Sequence, residues 1–162
     1  MKTLLIVYHS MTGGTLQMAR AAAEGAAESA LQVELLHAPD ADAKDLLRAD
    51  GYIFATPENL AAVSGLMKDF FDRNYYAVLE QLNGRPYASL ICAGSDGANA
   101  ARQIERIAAG WRLKAVAAPL IVCTHAQTPE DILRPKQIGA PELRACREIG
   151  AALATGLVLG VF

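Results

Sequence analysis

Apolar positions along this chain change period several times, and each change marks an element. Thr3-Leu4-Leu5-Ile6-Val7-Tyr8 is a nearly unbroken apolar run, the pattern of a strand buried on both faces. From Thr15 to Ser29 small apolar residues recur at helical spacing (Leu16, Ala19, Ala23, Ala26), which predicts a helix packed closely on a sheet. Leu31 to His37 reads as a second strand. Pro39 and the acidic cluster Asp40, Asp42 and Asp45 open a short helix ending near Arg48, with carboxylates where the helix dipole favours them. Asp50 to Thr56 contains a buried third strand, expected to halt at Pro57. In the next helix Val63, Leu66, Met67, Phe70 and Phe71 form the apolar stripe, with Lys68, Asp69, Asp72 and Arg73 opposite.

After the turn Asn83-Gly84-Arg85-Pro86, the run Tyr87 to Ala93 predicts a fourth strand. Ile104, Ile107, Ala108 and Trp111 then share a helical stripe. Leu113 to Cys123 supplies a fifth strand, best defined at Leu120 to Cys123. Thr124 to Ala140 is polar, holds Pro129 and Pro135, and reads as a long loop with at most one short helical turn. Pro141 suits the first position of a closing helix, whose buried face is expected at Ile149, Ala152, Leu153, Gly156 and Leu157. Strand and helix alternate five times, the signature of an α/β fold with a doubly wound parallel sheet and right-handed crossovers. No internal repeat or linker interrupts it, so residues 1–162 read as one domain.

Charge and cysteine usage narrow the function classes. A formal net charge of −2 lacks the clustered basic residues that nucleic-acid backbones require. Cys92, Cys123 and Cys146 have no metal-ligand spacing and cannot all pair, so they read as free thiols in a reducing cytoplasm. The N-terminus has the pattern of a strand and not of a leader, and the apolar tail from Gly150 to Phe162 is too short to span a bilayer. The expectation is a cytoplasmic protein without membrane or nucleic-acid partners.

Candidate chemistry lies in three loops that leave the carboxyl ends of strands, where open α/β sheets bind ligands. The first comprises Ser10, Met11, Thr12, Gly13, Gly14 and Thr15. A strand that passes through hydroxyl and glycine residues into a helix presents unpaired N–H groups and the positive dipole end to an anion such as a phosphate. No Lys or Arg occurs between Lys2 and Arg20, so neutral dipoles must do the binding. The second loop holds Thr56, Pro57, Glu58, Asn59 and Leu60, and the third Ala93, Gly94, Ser95, Asp96 and Gly97. A P-loop is excluded because Thr15 and Leu16, not Lys and Ser/Thr, follow Gly14; the dinucleotide G-x-G-x-x-G fingerprint is absent. A phospho-accepting receiver domain is excluded too, since Tyr8 and His9 stand where it needs paired carboxylates.

Ser10-Met11-Thr12-Gly13-Gly14-Thr15 resembles the FMN phosphate loop of flavodoxin-like proteins. Ala55-Thr56-Pro57, followed by Ser64 to Arg73, is similar to the second flavin loop and its helix in NAD(P)H-dependent FMN reductases and WrbA-type quinone reductases. The resemblance implies a flavodoxin-like, five-stranded parallel sheet of order 2-1-3-4-5 with helices on both faces. It also implies FMN as cofactor and NAD(P)H as co-substrate. Ser10 to Thr15 would take the phosphate, Pro57 to Leu60 line the isoalloxazine edge, and Ala93 to Gly97 the pyrimidine side. Electron-carrier flavodoxins usually clamp the ring between aromatics, but neither loop here has one; Met11 and Leu60 are the bulky apolar residues. A bare ring face admits a nicotinamide or quinone, which favours a reductase serving a small-molecule electron acceptor. A flavodoxin-type electron carrier and a flavin-free module are the alternatives, and a homo-oligomer completing the pocket is among the implied assemblies.

Individual side chains carry narrower expectations, and no catalytic residue is assigned. Glu58 reads either as an acceptor for a flavin N–H or as a solvated carboxylate, and Asp96 as a helix cap ahead of a flavin contact. His9 reads as a neutralising cation beside the anion when protonated, or as a simple strand end. His125 reads as a surface loop histidine ahead of a substrate contact, His37 as structural, and Tyr75 and Tyr76 as packing or subunit contacts.

Overall fold

The computed structural model describes residues Met1–Phe162. Its elements run β1 (Thr3–Tyr8), α1 (Gly14–Ala26), β2 (Gln32–His37), α2 (Ala43–Arg48), β3 (Gly51–Asn59), β4 (Ala62–Val63), α3 (Gly65–Asn74), β5 (Pro86–Ala93), α4 (Ala98–Gly110), β6 (Lys114–Ala115), β7 (Leu120–Cys123), α5 (Pro129–Leu133) and α6 (Ala140–Leu159). The parallel strands lie in the order β2-β1-β3-β5, with β6 and β7 both on the outer side of β5. That is the expected flavodoxin-like order, with the fifth strand divided. Between Tyr87↔Ala115 and Leu90↔Leu120, β5 advances three residues while its neighbour advances five, so the chain leaves the sheet after the Val116 N–H has bonded to the Tyr87 carbonyl. No helix is long and apolar enough to cross a membrane.

Each sheet face carries its own core. Leu5, Val7, Tyr52 and Phe54 pack with α3, α4 and Trp111 on one side. Leu4, Ile6, Ile53 and Leu90 pack with α1 and α6 on the other. The alanines of α1 let α6 approach to backbone contact. A methyl added at Gly25 would fall on the Arg147 carbonyl, and one at Gly150 on the Ala22 carbonyl. The α6 stripe therefore runs through Cys146, Gly150, Leu153, Ala154 and Leu157, and the expected Ala152 is exposed. Leu66, expected inside, is 44% exposed at the start of α3.

Pro57 does not end the third strand. Ala55 accepts from the His9 N–H at 3.0 Å, so position 57, two residues on, faces the same side, where β1 has already ended. The missing proline N–H therefore has no ladder partner to lose. β3 continues to Asn59 and folds back as a hairpin, with Asn59 opposite Ala62 and Glu58 opposite Val63. Leu60 and Ala61 have φ of 50° and 61°, the positive values that a two-residue hairpin turn demands. Neither is the Asn or Gly that tolerates them, at a cost of about 1–2 kcal/mol per residue.

Ala61→Gly should relieve part of that strain and raise Tm by about 2–4 °C, as about 1 kcal/mol does in a domain of this size. An unchanged or lowered Tm in thermal unfolding would refute strain at the hairpin tip.

Candidate active site at the carboxyl edge

The first loop is shaped by its own small residues. Ser10 Oγ accepts from the Gly13 N–H at 3.1 Å, and Gly13, at φ 91°, swings the chain into α1. No side chain caps α1, and its first turn holds no acid. Its exposed N–H groups and dipole therefore face the cavity without a protein anion. Thr15 is 1% exposed, and its hydroxyl has no hydrogen-bond partner beyond the weakly interacting Cys92 thiol beside it. A buried hydroxyl without a partner costs stability unless a ligand completes it. Burial pushes the Cys92 thiol up, so this wall stays neutral.

His9 does not serve as a cation for this loop. Its Nδ1 lies 2.7 Å from Ser64 Oγ, which lies 3.1 Å from Thr56 Oγ1, and the His37 ring stands 5.8 Å away. Burial first, and the His37 charge second, hold His9 below its ordinary value, so it is neutral near pH 7. Its role is to fix the start of α3 against the end of β3.

The second loop is the β3–β4 hairpin, stapled to α4. Glu58 accepts from the Gly97 N–H at 2.8 Å and the Ala100 N–H at 3.0 Å. Half-buried on the cavity wall, it thus caps a helix from another element. Gln103 Oε1 accepts from the Val63 N–H at 2.8 Å, and Asn99 donates to the Ala61 carbonyl. In the third loop Asp96 accepts from the Ala98 N–H at 3.1 Å, and Gly97 turns into α4 at φ 87°. A methyl at Gly94 would meet the Ala126 carbonyl at 2.8 Å, so the chain after β7 packs directly on this loop.

Between these loops lies an open cavity of about 530 Å³. Ser10, Met11, Thr12, Gly14, Thr15, Pro57, Glu58, Asn59, Leu60, Ala93, Gly94 and Ser95 line it. The other four expected residues stand behind the wall: Gly13 and Gly97 as turns, Thr56 in the His9–Ser64 network, and Asp96 as a cap. Leu60 is fully exposed and Met11 is 58% exposed at the mouth. The chain after β7 adds Thr124, Ala126, Ile132 and Lys136 to the wall, none of them singled out from the sequence. Lys136 brings no free cation: its Nζ donates to the carbonyls of Asp131, Ile132 and Arg134. His125 is exposed, its N–H donating to the Gly94 carbonyl; Tyr75 stacks on Trp111 and Tyr76 is exposed. A neutral donor set, an unpartnered buried hydroxyl and a partly apolar cleft above them fit a phosphomonoester joined to a flat ring, as in FMN.

Comparisons with known proteins bear on the family and the fold. The sequence profile of NADPH-dependent FMN reductases matches residues 39–128. A protein named flavodoxin from Aquifex aeolicus is 38% identical over 96 residues, covering 59% of this chain and 50% of that one. A protein named NAD(P)H dehydrogenase (quinone) from Acidithiobacillus ferrooxidans is 36% identical over 94 residues, covering 45% of this chain and 47% of that one. The chain thus spans about half the length of these curated relatives. Among solved structures, the flavodoxin, WrbA-like protein from Agrobacterium tumefaciens is similar at a TM-score of 0.77 and 21% identity, covering 98% of this chain and 99% of that one.

Two measurements probe the scaffold of the site. Glu58→Ala should orphan two N–H groups of α4 and cost about 1–2 kcal/mol in urea unfolding; an unchanged midpoint would refute the cap. His9 takes up a proton in the unfolded chain near its ordinary value of 6.5, and in the fold only at lower pH. The unfolded state therefore gains the proton first as pH falls, so the His9 contribution is full above about pH 6.5 and is lost below it. His9→Asn should flatten the stability–pH curve between about pH 5 and 7; a curve parallel to wild type would contradict a neutral His9.

Proposed function

This chain belongs to the NADPH-dependent FMN reductase family, and on that premise we propose that it binds FMN and passes reducing equivalents from NAD(P)H to a small quinone-like acceptor. The observation that carries the reading is the unpartnered, buried Thr15 hydroxyl at the uncapped start of α1, inside a cavity roomy enough for the ring. FMN, when bound, supplies the hydride and electron chemistry, and the protein supplies position and electrostatics.

Thr15 Oγ1 and the first N–H groups of α1 would hold the phosphate. Ser10, whose oxygen is occupied by the Gly13 N–H, still has its hydroxyl proton to donate. Pro57 to Leu60 and Ala93 to Ser95 would flank the ring, the hairpin being kept in place by Glu58, Asn99 and Gln103. Gly97 gives its N–H to Glu58, so donation to the pyrimidine side falls to the backbone N–H groups of Gly94 and Ser95. Without an aromatic clamp, one ring face stays open for a nicotinamide and then an acceptor. The three free thiols support a cytoplasmic setting.

The test begins with gel filtration after FMN addition, read by visible absorbance. Co-elution, with NADH or NADPH oxidised in the presence of benzoquinone, is expected. Flavin without nicotinamide turnover would make the chain an electron carrier, and loss of flavin from the protein would sink the reading. Thr15→Val supplies a sign test. It should weaken FMN binding about tenfold, by one lost hydrogen bond, yet raise the stability of the flavin-free protein by removing an orphaned buried polar group. Equal FMN affinity in titration would rule Thr15 out as a phosphate ligand.

A further inference from the structure

The segment from Thr128 to Ile138 lies over the first loop as a strap with little apolar anchorage. No residue of α5 is buried, Ile132 and Leu133 are 48% and 66% exposed, and only Ile138 at the far end is inside. Segments with few buried apolar contacts have low local stability, so polar ties must seat the strap.

Those ties converge on Gln17, one turn into α1. Its Nε2 donates to the Lys136 carbonyl at 2.8 Å and to the Gly13 carbonyl at 3.0 Å, and its Oε1 accepts from the Ile138 N–H at 3.0 Å. One further bond runs directly between the two segments, from the Lys136 N–H to the Thr12 carbonyl at 2.8 Å. Gln17 thus spends both amide protons and its oxygen on joining the loop to a segment 119 residues away in sequence.

The Gly13 carbonyl accepts from the Gln17 backbone N–H at 3.1 Å as well, so the first helical bond and the side-chain amide together aim a donor. In a planar trans peptide the C=O of one residue and the N–H of the next point in opposite directions. Holding the Gly13 carbonyl toward α1 turns the Gly14 N–H toward the interior of the loop. The strap lies close to Gly14 as well: a Cβ there would meet Cys92 Sγ at 2.8 Å and come within 3.4 Å of both Ile138 Cδ1 and Lys136 Cβ.

Resting on the flavin reading above, we propose that Gln17 is a positioning residue that makes phosphate binding and strap seating one equilibrium. A phosphomonoester held by the loop fixes the Thr12 and Gly13 carbonyls, and these carbonyls and Gln17 then hold the strap. The seated strap brings Ile132 and Lys136 to the cavity wall. Two sites that stabilise one arrangement must strengthen each other reciprocally.

Amide hydrogen exchange of the whole chain tests this, with FMN and with inorganic phosphate as probes. In the wild-type protein FMN should slow exchange at Lys136 and Ile138 at least about tenfold, and phosphate should do so more weakly. Gln17→Met, close in shape and a good helix former, should exchange quickly at both amides with or without FMN. It should also bind FMN about tenfold more weakly, with Ser10 and Thr15 unaltered. FMN that binds wild type without protecting these two amides overturns the proposal, and needs no variant to do so. Equal affinity and equal protection in Gln17→Met overturn it while leaving the flavin reading intact. A wild-type protein that binds no FMN overturns both.

Discussion

The first N–H groups of a helix must find acceptors, and the carboxyl edge of this sheet meets that demand in two opposite ways. At α4 the protein supplies its own anion: Glu58 reaches across from β3 and accepts from Gly97 and Ala100. At α1 it supplies none, with glycine at the cap position and no acid in the first turn. Two neighbouring helix starts differ in that one is closed by a carboxylate and the other is left for a ligand. The filled one stiffens the hairpin, and the open one sets the chemistry of the site.

On the reading proposed above, that asymmetry lets the first loop take an anion without a cation bonded to it. Lys136 is the one basic residue on the cavity wall, and its ammonium group is committed to three carbonyls at the end of α5. His9 is kept neutral by burial and by His37. An anion held in the first loop would therefore be bonded by dipoles, with the Lys136 charge acting only through space, and binding by fixed dipoles depends on geometry far more than binding by a mobile charge does. Geometry is what the back of α1 secures. Gly25 and Gly150 bring α1 and α6 into backbone contact, and the alanines between them leave little room to shift.

The strands and the first loop were legible in the sequence because both rest on local signals, whereas the sheet order came from the resemblance to flavodoxin-like proteins. Buried strands read as apolar runs, and the hydroxyl- and glycine-rich turn gained its meaning from the second loop and the strand–helix alternation beside it. What the sequence hid was non-local. Pro57 carries a strong stop signal, overridden because β1 ends one step earlier and no ladder bond is lost. Glu58 looked like a loop carboxylate because its partners, Gly97 and Ala100, lie 39 and 42 residues away. Ala152 fell on the expected stripe of α6, yet the close approach at Gly150 sets the true stripe, which glycine spacing alone does not announce. The third wall of the cavity comes from a segment whose polar composition reads as plain loop. Only the topology hinted at it, because that segment leaves the same edge of the sheet.

The site thus has a rigid side and a loose side. α1 is locked by its contact with α6, while the hairpin tip carries positive φ at Leu60 and Ala61 and the strap has one buried side chain. Ligand-binding loops are drawn from the least stable parts of a fold, since they must open for exchange. Such an arrangement separates two requirements that conflict in a uniformly stiff pocket. Dipoles that hold a phosphate must not move, whereas covers over a ring must move if a nicotinamide and an acceptor are to use the same face in turn. Gln17 stands on the rigid side and reaches the loose one, which makes it the residue through which either requirement is felt by the other.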